Sequence, residues 1–127
     1  MSGKIFGWDI GGAHLKVAQL DGAGEIIAVK QVACPLWRGV GELKRACALL
    51  DLPIDAPGSI HAVTMTGELC DVFAERAVGV ETILQILREQ LDPNAAVQVF
   101  AGYRGWLAPE QLDHAAALAV ASANWLA

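Results

Sequence analysis

The sequence is poor in basic residues. Nine of its 127 residues are Lys or Arg, against 14 that are Asp or Glu, and the net charge is −5. A protein that binds nucleic acid through its phosphates needs clustered Lys and Arg to displace counterions, and no such cluster is present. We therefore expect no nucleic-acid partner.

Cysteine is also scarce. The three cysteines, Cys34, Cys47 and Cys70, are an odd number and lack CxxC spacing, which argues against a disulfide framework and a structural zinc site. The first residues lack the basic and then apolar segments of a signal peptide, and no apolar run is long enough to span a bilayer. We expect a cytoplasmic protein with free thiols and no membrane partner.

Apolar residues, in contrast, make up 54% of the chain, enough for the core of a single domain over residues 1–127. Hydrophobic periodicity predicts the order β-β-β-α-β-α-β-α, and so an α/β fold with a mixed five-stranded sheet and flanking helices. The predicted strands are 4–10, 14–20, 25–32, 60–65 and 97–101. The predicted helices are 37–50, 80–91 and 109 to the last residue, and 103–106 is predicted as an exposed loop.

The last predicted helix is apolar on nearly all sides from residue 115 onward and lacks a capping residue at its end. One small domain does not easily bury such a helix. We therefore expect residues 110–127 to pack against a partner, either a missing C-terminal half or a second copy of the chain. The four tryptophans are interpreted as core and interface anchors: Trp8, Trp37, Trp106 and Trp125.

The segment DIGG at 9–12 ends the first predicted strand. Paired glycines let backbone N–H groups approach an anion, so Gly11 and Gly12 are candidate phosphate ligands, with Lys16 as a counter-charge. Asp9 is a candidate ligand of a divalent cation, through water. The alternative is an ordinary hairpin turn with an incidental Asp. A branched side chain at Gly12 is expected to crowd the turn.

The antiparallel meander, the DIGG turn at its first hairpin and the following α-β-α-β-α order resemble the ribonuclease H-like half of the actin, sugar kinase and heat-shock chaperone superfamily. In that superfamily two such halves clamp a nucleotide, and the first hairpin is one of two phosphate loops. The resemblance implies that the chain is the N-terminal half of a two-domain enzyme. It also leaves an ATP-dependent kinase or ATPase open as an alternative.

A second set of motifs is more specific. It consists of GWDIGGAHLK at 7–16, TMTGELCD at 64–71 with Phe73, Arg76 and Gly79-Val80 after it, and ASANWLA at 121–127. These motifs look like the hydantoinase A/oxoprolinase-like branch, and within it the tetrahydromethanopterin-linked C1-transfer pathway family. Its archaeal members are methanofuran-biosynthesis synthases, which join an aminomethylfuran diphosphate to the phenol of a γ-glutamyltyramine and release diphosphate. Other members serve a related furan cofactor, methylofuran.

The resemblance implies magnesium and a diphosphate-bearing small molecule at the first hairpin. Candidate bases for the phenol proton are Glu68 and His14, and candidate substrate contacts are Asp71, Arg76, Tyr103 and Arg104. Each of these also has a structural interpretation, such as an ordinary ion pair between Asp71 and Arg76. Because the second half is absent, the 127-residue chain alone is expected to be inactive.

Two further functions stay open. A non-catalytic partner-binding subunit would use the apolar terminal helix. A magnesium-dependent nuclease of the ribonuclease H type would use Asp9, Glu68 and Asp71, but the net charge of −5 argues against it.

Overall fold

The computed structural model describes residues 4–67 and 73–122. In these residues the chain forms six strands, three helices and several short 3-10 turns. The strands are β1 (Ile5–Ile10), β2 (His14–Leu20), β3 (Ile26–Ala33), β4 (Ile60–Met65), β5 (Ala96–Phe100) and β6 (Trp106–Leu107). The helices are α1 (Gly41–Leu49), α2 (Arg76–Glu89) and α3 (His114–Ser122).

The six strands form one mixed sheet in the order β3-β2-β1-β4-β5-β6, so the predicted α/β class is confirmed. The first three strands are the predicted antiparallel meander, β4 is parallel to β1, and β5 is parallel to β4. The carboxyl ends of β1, β4 and β5 therefore lie at one end of the sheet. The last residue of β3, Ala33, reaches the same end because it pairs with His14 at the start of β2. We call this end of the sheet the carboxyl end.

The prediction of five strands is wrong, because β6 adds a sixth. Trp106 and Leu107 lie at the end of the predicted exposed loop and just after it, and they pair antiparallel with Phe100 and Val99. Two residues are too few to show a period-two pattern, so the sequence carries no signal for β6. The chain reverses before β6 through a 3-10 turn at Gly102–Arg104.

The bounds of all three helices also differ from the prediction. α1 begins at Gly41 instead of residue 37, because Leu36–Arg38 forms a separate 3-10 turn and Gly39 follows it at φ 138°. α2 covers 76–89 instead of 80–91. α3 begins at His114 instead of residue 109, because Pro109–Gln111 forms a 3-10 turn of its own.

One face of the sheet forms the core. In β1 the alternating residues Phe6, Trp8 and Ile10 are buried, and buried residues of all three helices join them in one hydrophobic cluster. The helices therefore cover this face. The opposite face carries Gly7 and Asp9 and, among the described residues, contributes no member to that cluster. We call it the open face.

The described part of α3 packs against α2 and against the turn at Gly102–Arg104, and it buries Ala117, Val120 and Ala121 in the core cluster. Trp125 lies outside the described residues, and the association surface over 110–127 stays a prediction. None of the described helices combines the length and the apolarity that crossing a membrane requires.

The core also contains a histidine that the sequence analysis does not single out, His61 on β4. The Trp8 indole donates to His61 Nδ1 at 2.9 Å, and His61 Nε2 lies 2.9 Å from Ser59 Oγ. An indole can only donate, so Nδ1 is unprotonated, and the neutral ring donates from Nε2 to Ser59. Burial lowers the pKa of His61 to about 4, in agreement with a neutral ring.

Candidate functional site

Four chain segments meet at the carboxyl end of the sheet. They are the Gly11-Gly12 hairpin after β1, the segment 34–40 after β3, Thr66-Gly67 after β4 and the Gly102–Arg104 turn after β5. Ligands of α/β proteins bind preferentially outside the carboxyl ends of parallel strands, where loops converge and the backbone is free to turn toward a ligand. The carboxyl end of the sheet is therefore the expected location of a functional site.

The hairpin presents backbone donors. The Gly11 amide donates to the His14 carbonyl at 3.0 Å, and so it is already used within the turn. The amides of Gly12 and Ala13 have no acceptor among the residues that the structure describes. Of the two predicted phosphate-binding glycines, Gly12 therefore offers a free N–H group, and Ala13, which the sequence analysis does not name, offers a second.

Gly11 has a packing role. A Cβ built on Gly11 would lie 3.2 Å from the His14 carbonyl oxygen and 3.6 Å from Thr66 Oγ1. The same part of the hairpin is tied to β4, because the Thr66 amide donates to the Ile10 carbonyl at 2.9 Å. A side chain at Gly11 would press on both neighbours, and we infer that this glycine keeps the hairpin close to β4.

The expected crowding at Gly12 is wrong. A Cβ built on Gly12 meets no described atom within 4 Å, and its φ lies outside the left-handed region. The crowded glycine is Gly67, whose Cβ would lie 2.7 Å from Leu36 Cδ1 and 3.1 Å from Ile83 Cδ1. Space is therefore limiting where β4 ends, and the exposed tip of the hairpin has room for a ligand.

Asp9 and Lys16 lie beside this hairpin on the open face. They are cross-strand partners in β1 and β2, and Thr64 on β4 occupies the corresponding position on the other side of Asp9. Both charged side chains are exposed, and neither forms an ion pair within the described parts of the chain. Asp9 and Lys16 are therefore available to a ligand at the carboxyl end.

A shallow cavity of about 340 Å³ extends from this charged pair across the open face. Its floor is a row of small residues on three adjacent strands, since Gly7 pairs with Ala18 on one side and with Ala62 on the other. Trp106 and Val29 also line it. The surface is concave because Gly7 has no side chain and the two alanines beside it have only a methyl group.

The remaining predicted contacts that the structure describes are exposed and spread along the carboxyl end. His14 begins β2, Arg76 begins α2, and Tyr103 is 95% exposed. Arg104 Nη1 lies 4.0 Å from Asp113 Oδ1. In the described residues none of these four side chains forms a hydrogen bond or an ion pair with the hairpin, so their roles as base or substrate contacts stay predictions.

Glu68, Asp71 and Cys70 fall on residues 68–72, outside the described part of the chain. The predicted Asp71–Arg76 ion pair is therefore also untested. Within the described residues no group of three or more His, Cys, Asp or Glu side chains is placed to hold a metal ion.

The two described cysteines are poor nucleophiles and poor metal ligands. Burial raises the pKa of Cys34 to about 11, with a further rise from Glu42 and an opposing effect of Arg45. Burial raises the pKa of Cys47 to about 12. Both thiols therefore stay protonated near neutral pH, as expected for packing residues.

Trp8 is buried, as the interpretation of a core anchor requires. Trp37 is 62% exposed, so it is not a core anchor, and a role as an interface anchor stays a prediction. The Arg38 guanidinium carbon lies 4.9 Å from the centroid of the Trp37 ring. The predicted helix begins at residue 37, but Leu36–Arg38 forms a 3-10 turn in which the side chains of Trp37 and Arg38 are both exposed.

No protein-family model matches the chain. Over 121 residues, 95% of the chain, the sequence is 28% identical to a curated protein of Methanocaldococcus jannaschii, named (4-{4-[2-(gamma-L-glutamylamino)ethyl]phenoxymethyl}furan-2-yl)methanamine synthase. The match covers 34% of that protein, so the chain spans about a third of the length of the curated relative it matches. The similarity supports the predicted link to methanofuran biosynthesis. The assignment to the hydantoinase A-like branch and the actin-like superfamily stays a prediction.

Proposed function

We propose that this chain is the N-terminal, ribonuclease H-like domain of an enzyme of methanofuran or methylofuran biosynthesis, and that it binds the diphosphate of an aminomethylfuran substrate. The proposal draws on the 28% identity to the M. jannaschii synthase, whose name describes a phenoxymethyl ether between a phenol and a furan methanamine. It also draws on the motifs quoted above and on the order of strands and α-helices, in which the described residues add one short strand, β6, to the predicted series.

The observation that carries the proposal is the pair of unoccupied amide N–H groups at Gly12 and Ala13, next to the unpaired charges of Asp9 and Lys16 within the described residues. Backbone N–H groups and a lysine bind phosphate oxygens, and a carboxylate approaches the same oxygens through a divalent cation. These groups together suit a metal-bound diphosphate better than a neutral ligand.

In the proposed reaction the phenol oxygen attacks the CH₂ carbon that carries the diphosphate. A carbon–oxygen ether bond forms, the carbon–oxygen bond to the diphosphate breaks, and its electron pair leaves with the diphosphate. The phenol proton passes to a base, for which His14 and Glu68 are the proposed groups. Donors at Gly12, Ala13 and Lys16 would stabilise the charge that develops on the leaving group.

Magnesium fits this site as a metal that arrives with the diphosphate. Mg²⁺ commonly binds through one or two carboxylates, water and substrate phosphates, and it does not need a full set of protein ligands. Asp9, exposed at the end of β1, would supply the one carboxylate, directly or through water. When bound, the metal would neutralise charge on the departing diphosphate.

The comparison does not favour a kinase or ATPase, since the relative's name describes a synthase. ATP is therefore left out of the proposal. A cytoplasmic location, catalysis only together with a second domain, and association through residues 110–127 are further parts of the proposal. A purely partner-binding role has no specific observation in its favour.

Calorimetric titration of the chain with magnesium diphosphate tests the proposal. Asp9→Asn is expected to weaken magnesium-dependent binding by about 10-fold or more, because it removes the carboxylate that would orient the metal. Asp55→Asn is the matched control, since Asp55 is an exposed carboxylate in the loop that enters β4 at the opposite end of the sheet. Equal affinity of the wild type and Asp9→Asn would remove Asp9 from the site. Absence of binding by the wild type would overturn the proposed function.

A further inference from the structure

The segment after β3 is fixed to the candidate phosphate hairpin by its backbone. The Cys34 amide donates to the Ala13 carbonyl at 2.8 Å, and the Leu36 amide donates to the Gly12 carbonyl at 3.1 Å. The Leu36 side chain is fully buried and lies against Gly67, at the end of β4. The backbone immediately before residues 37 and 38 is therefore fixed next to the hairpin.

Trp37 and Arg38 project from this anchor as a preassembled pair. Trp37 is 62% exposed, and the Arg38 guanidinium carbon lies 4.9 Å from the centroid of its ring. Cation–π contact restricts the guanidinium while leaving its N–H donors at the rim free to bind an anion. Exposing a large aromatic side chain to water is unfavourable. A role of Trp37 in orienting Arg38 would explain why this tryptophan is exposed.

The other arginines do not share this environment. Arg45, Arg88 and Arg104 each have a carboxylate oxygen within 4.0 Å, at Glu42, Glu110 and Asp113 respectively. In the described residues Arg38 and Arg76 have no such partner, and Arg38 is the one of these two that an aromatic ring orients. Arg38 therefore carries an uncompensated positive charge at the carboxyl end, in a chain whose net charge is −5.

We infer that Arg38 is a binding residue for the diphosphate of the substrate and that Trp37 is the positioning residue that holds its guanidinium toward the Gly11-Gly12 hairpin. This inference rests on the proposed function. Without Arg38, a diphosphate at the hairpin would face backbone amides and one full positive charge, that of Lys16. The planar guanidinium of Arg38 adds a second positive charge and two parallel N–H donors for phosphate oxygens. The expected ligand is a diphosphate monoester of an aromatic alcohol. The product, inorganic diphosphate, is expected to bind at the same residues.

The test is the binding of inorganic diphosphate, with magnesium, to the 127-residue chain and its variants. Arg38→Ala is expected to weaken binding by about 10- to 100-fold, the usual effect of losing a charge-assisted hydrogen bond. Arg38→Lys should recover only part of this loss, because an ammonium cannot bind in a bidentate manner. Trp37→Ala should weaken binding by about 2- to 5-fold, and Trp37→Phe, which keeps an aromatic face, by less.

Arg88→Ala is the matched control, because Arg88 is an exposed arginine in the last turn of α2. It is expected to leave the affinity within about twofold of the wild type. An equal loss in Arg38→Ala and Arg88→Ala would reveal a general charge effect and overturn the inference. So would wild-type affinity in Arg38→Ala, while the proposed function would stand. If the wild type binds no diphosphate, the proposed function and the inference both fail.

Discussion

His61 shows how one buried side chain joins two strands. Its Nδ1 accepts from Trp8 on β1, its Nε2 donates to Ser59, and Phe6 stacks on the ring with centroids 5.1 Å apart. Protonation would place a second N–H against the Trp8 indole N–H and a charge inside the core. The neutral imidazole is thus part of the packing of β1 against β4.

The stability of the chain should therefore fall in mild acid. The unfolded histidine has a pKa near 6.5 and the folded one about 4, so the unfolded state binds the proton more readily. The contribution of His61 is complete above pH 6.5 and is lost as the pH falls toward 4, by up to about 3 kcal/mol. Urea unfolding at pH 7.5 and pH 4.5 measures this difference.

Two variants separate His61 from the other titrating groups. His14→Asn is the matched control, because it removes a histidine at an exposed position and leaves the buried His61 in place. His61→Gln, whose amide can accept from Trp8 and donate to Ser59 without titrating, should reduce the pH dependence. The same pH dependence in His61→Gln and the wild type would mean that acid acts elsewhere.

For single residues, the sequence predicts which side chains are exposed better than it predicts which groups form hydrogen bonds with each other. Asp9 and Lys16 are predicted as ligand residues, and both side chains are exposed. The partner of His61 lies 53 residues away in the sequence, and local pattern carries no information about such a contact. The free amide of Ala13 is missed for a similar reason, since backbone hydrogen bonding in a turn is not set by residue type alone.

Gly67 lies where three elements come together. It follows β4, it contacts Leu36 from the 3-10 turn after β3, and it contacts Ile83 on α2. Its side-chain position is already filled by these two aliphatic groups. The close approach of β4, α2 and the 3-10 turn depends on the absence of a Cβ.

Gly67→Ala is expected to destabilise the fold by about 1–3 kcal/mol, because the new Cβ would overlap Leu36 and Ile83 at 2.7 and 3.1 Å. Gly12→Ala is the matched control, since its Cβ enters open space, and it should change the free energy of unfolding by less than about 1 kcal/mol. Urea denaturation compares the two. If Gly67→Ala is no less stable than Gly12→Ala, Leu36 and Ile83 can make room for a Cβ, and the packing role of Gly67 is contradicted.

The strands and helices of regular length are predicted from periodicity, and the short connecting elements are not. β1, β2, β4 and β5 carry clear alternation. The 3-10 turn at Leu36–Arg38 merges with the helical pattern of α1 in the sequence, and the two-residue strand β6 has no pattern at all. These short elements carry Trp37 and Trp106, and so the local backbone at two exposed aromatic residues is not predicted from periodicity.

The fold as a whole brings candidate site residues from distant segments to one end of the sheet, because the parallel strands β1, β4 and β5 end there. The predicted order of elements is sufficient to foresee this convergence. It is not sufficient to foresee the open face, whose cavity depends on Gly7, Ala18 and Ala62 meeting in register. The chain spans about a third of its curated relative, and complete catalysis is therefore proposed for the larger protein.

The most direct test of the central claim, that the hairpin binds diphosphate through its backbone, is an amide NMR titration of the ¹⁵N-labelled chain with magnesium diphosphate. Gly12 and Ala13 should show saturable amide shifts, and Gly11 smaller ones because its N–H already donates to His14. Gly58, in the loop at the opposite end of the sheet, should not move. Binding through the hairpin backbone would be contradicted if the amide signals of Gly12 and Ala13 do not shift, or if the Gly58 signal shifts as much as they do.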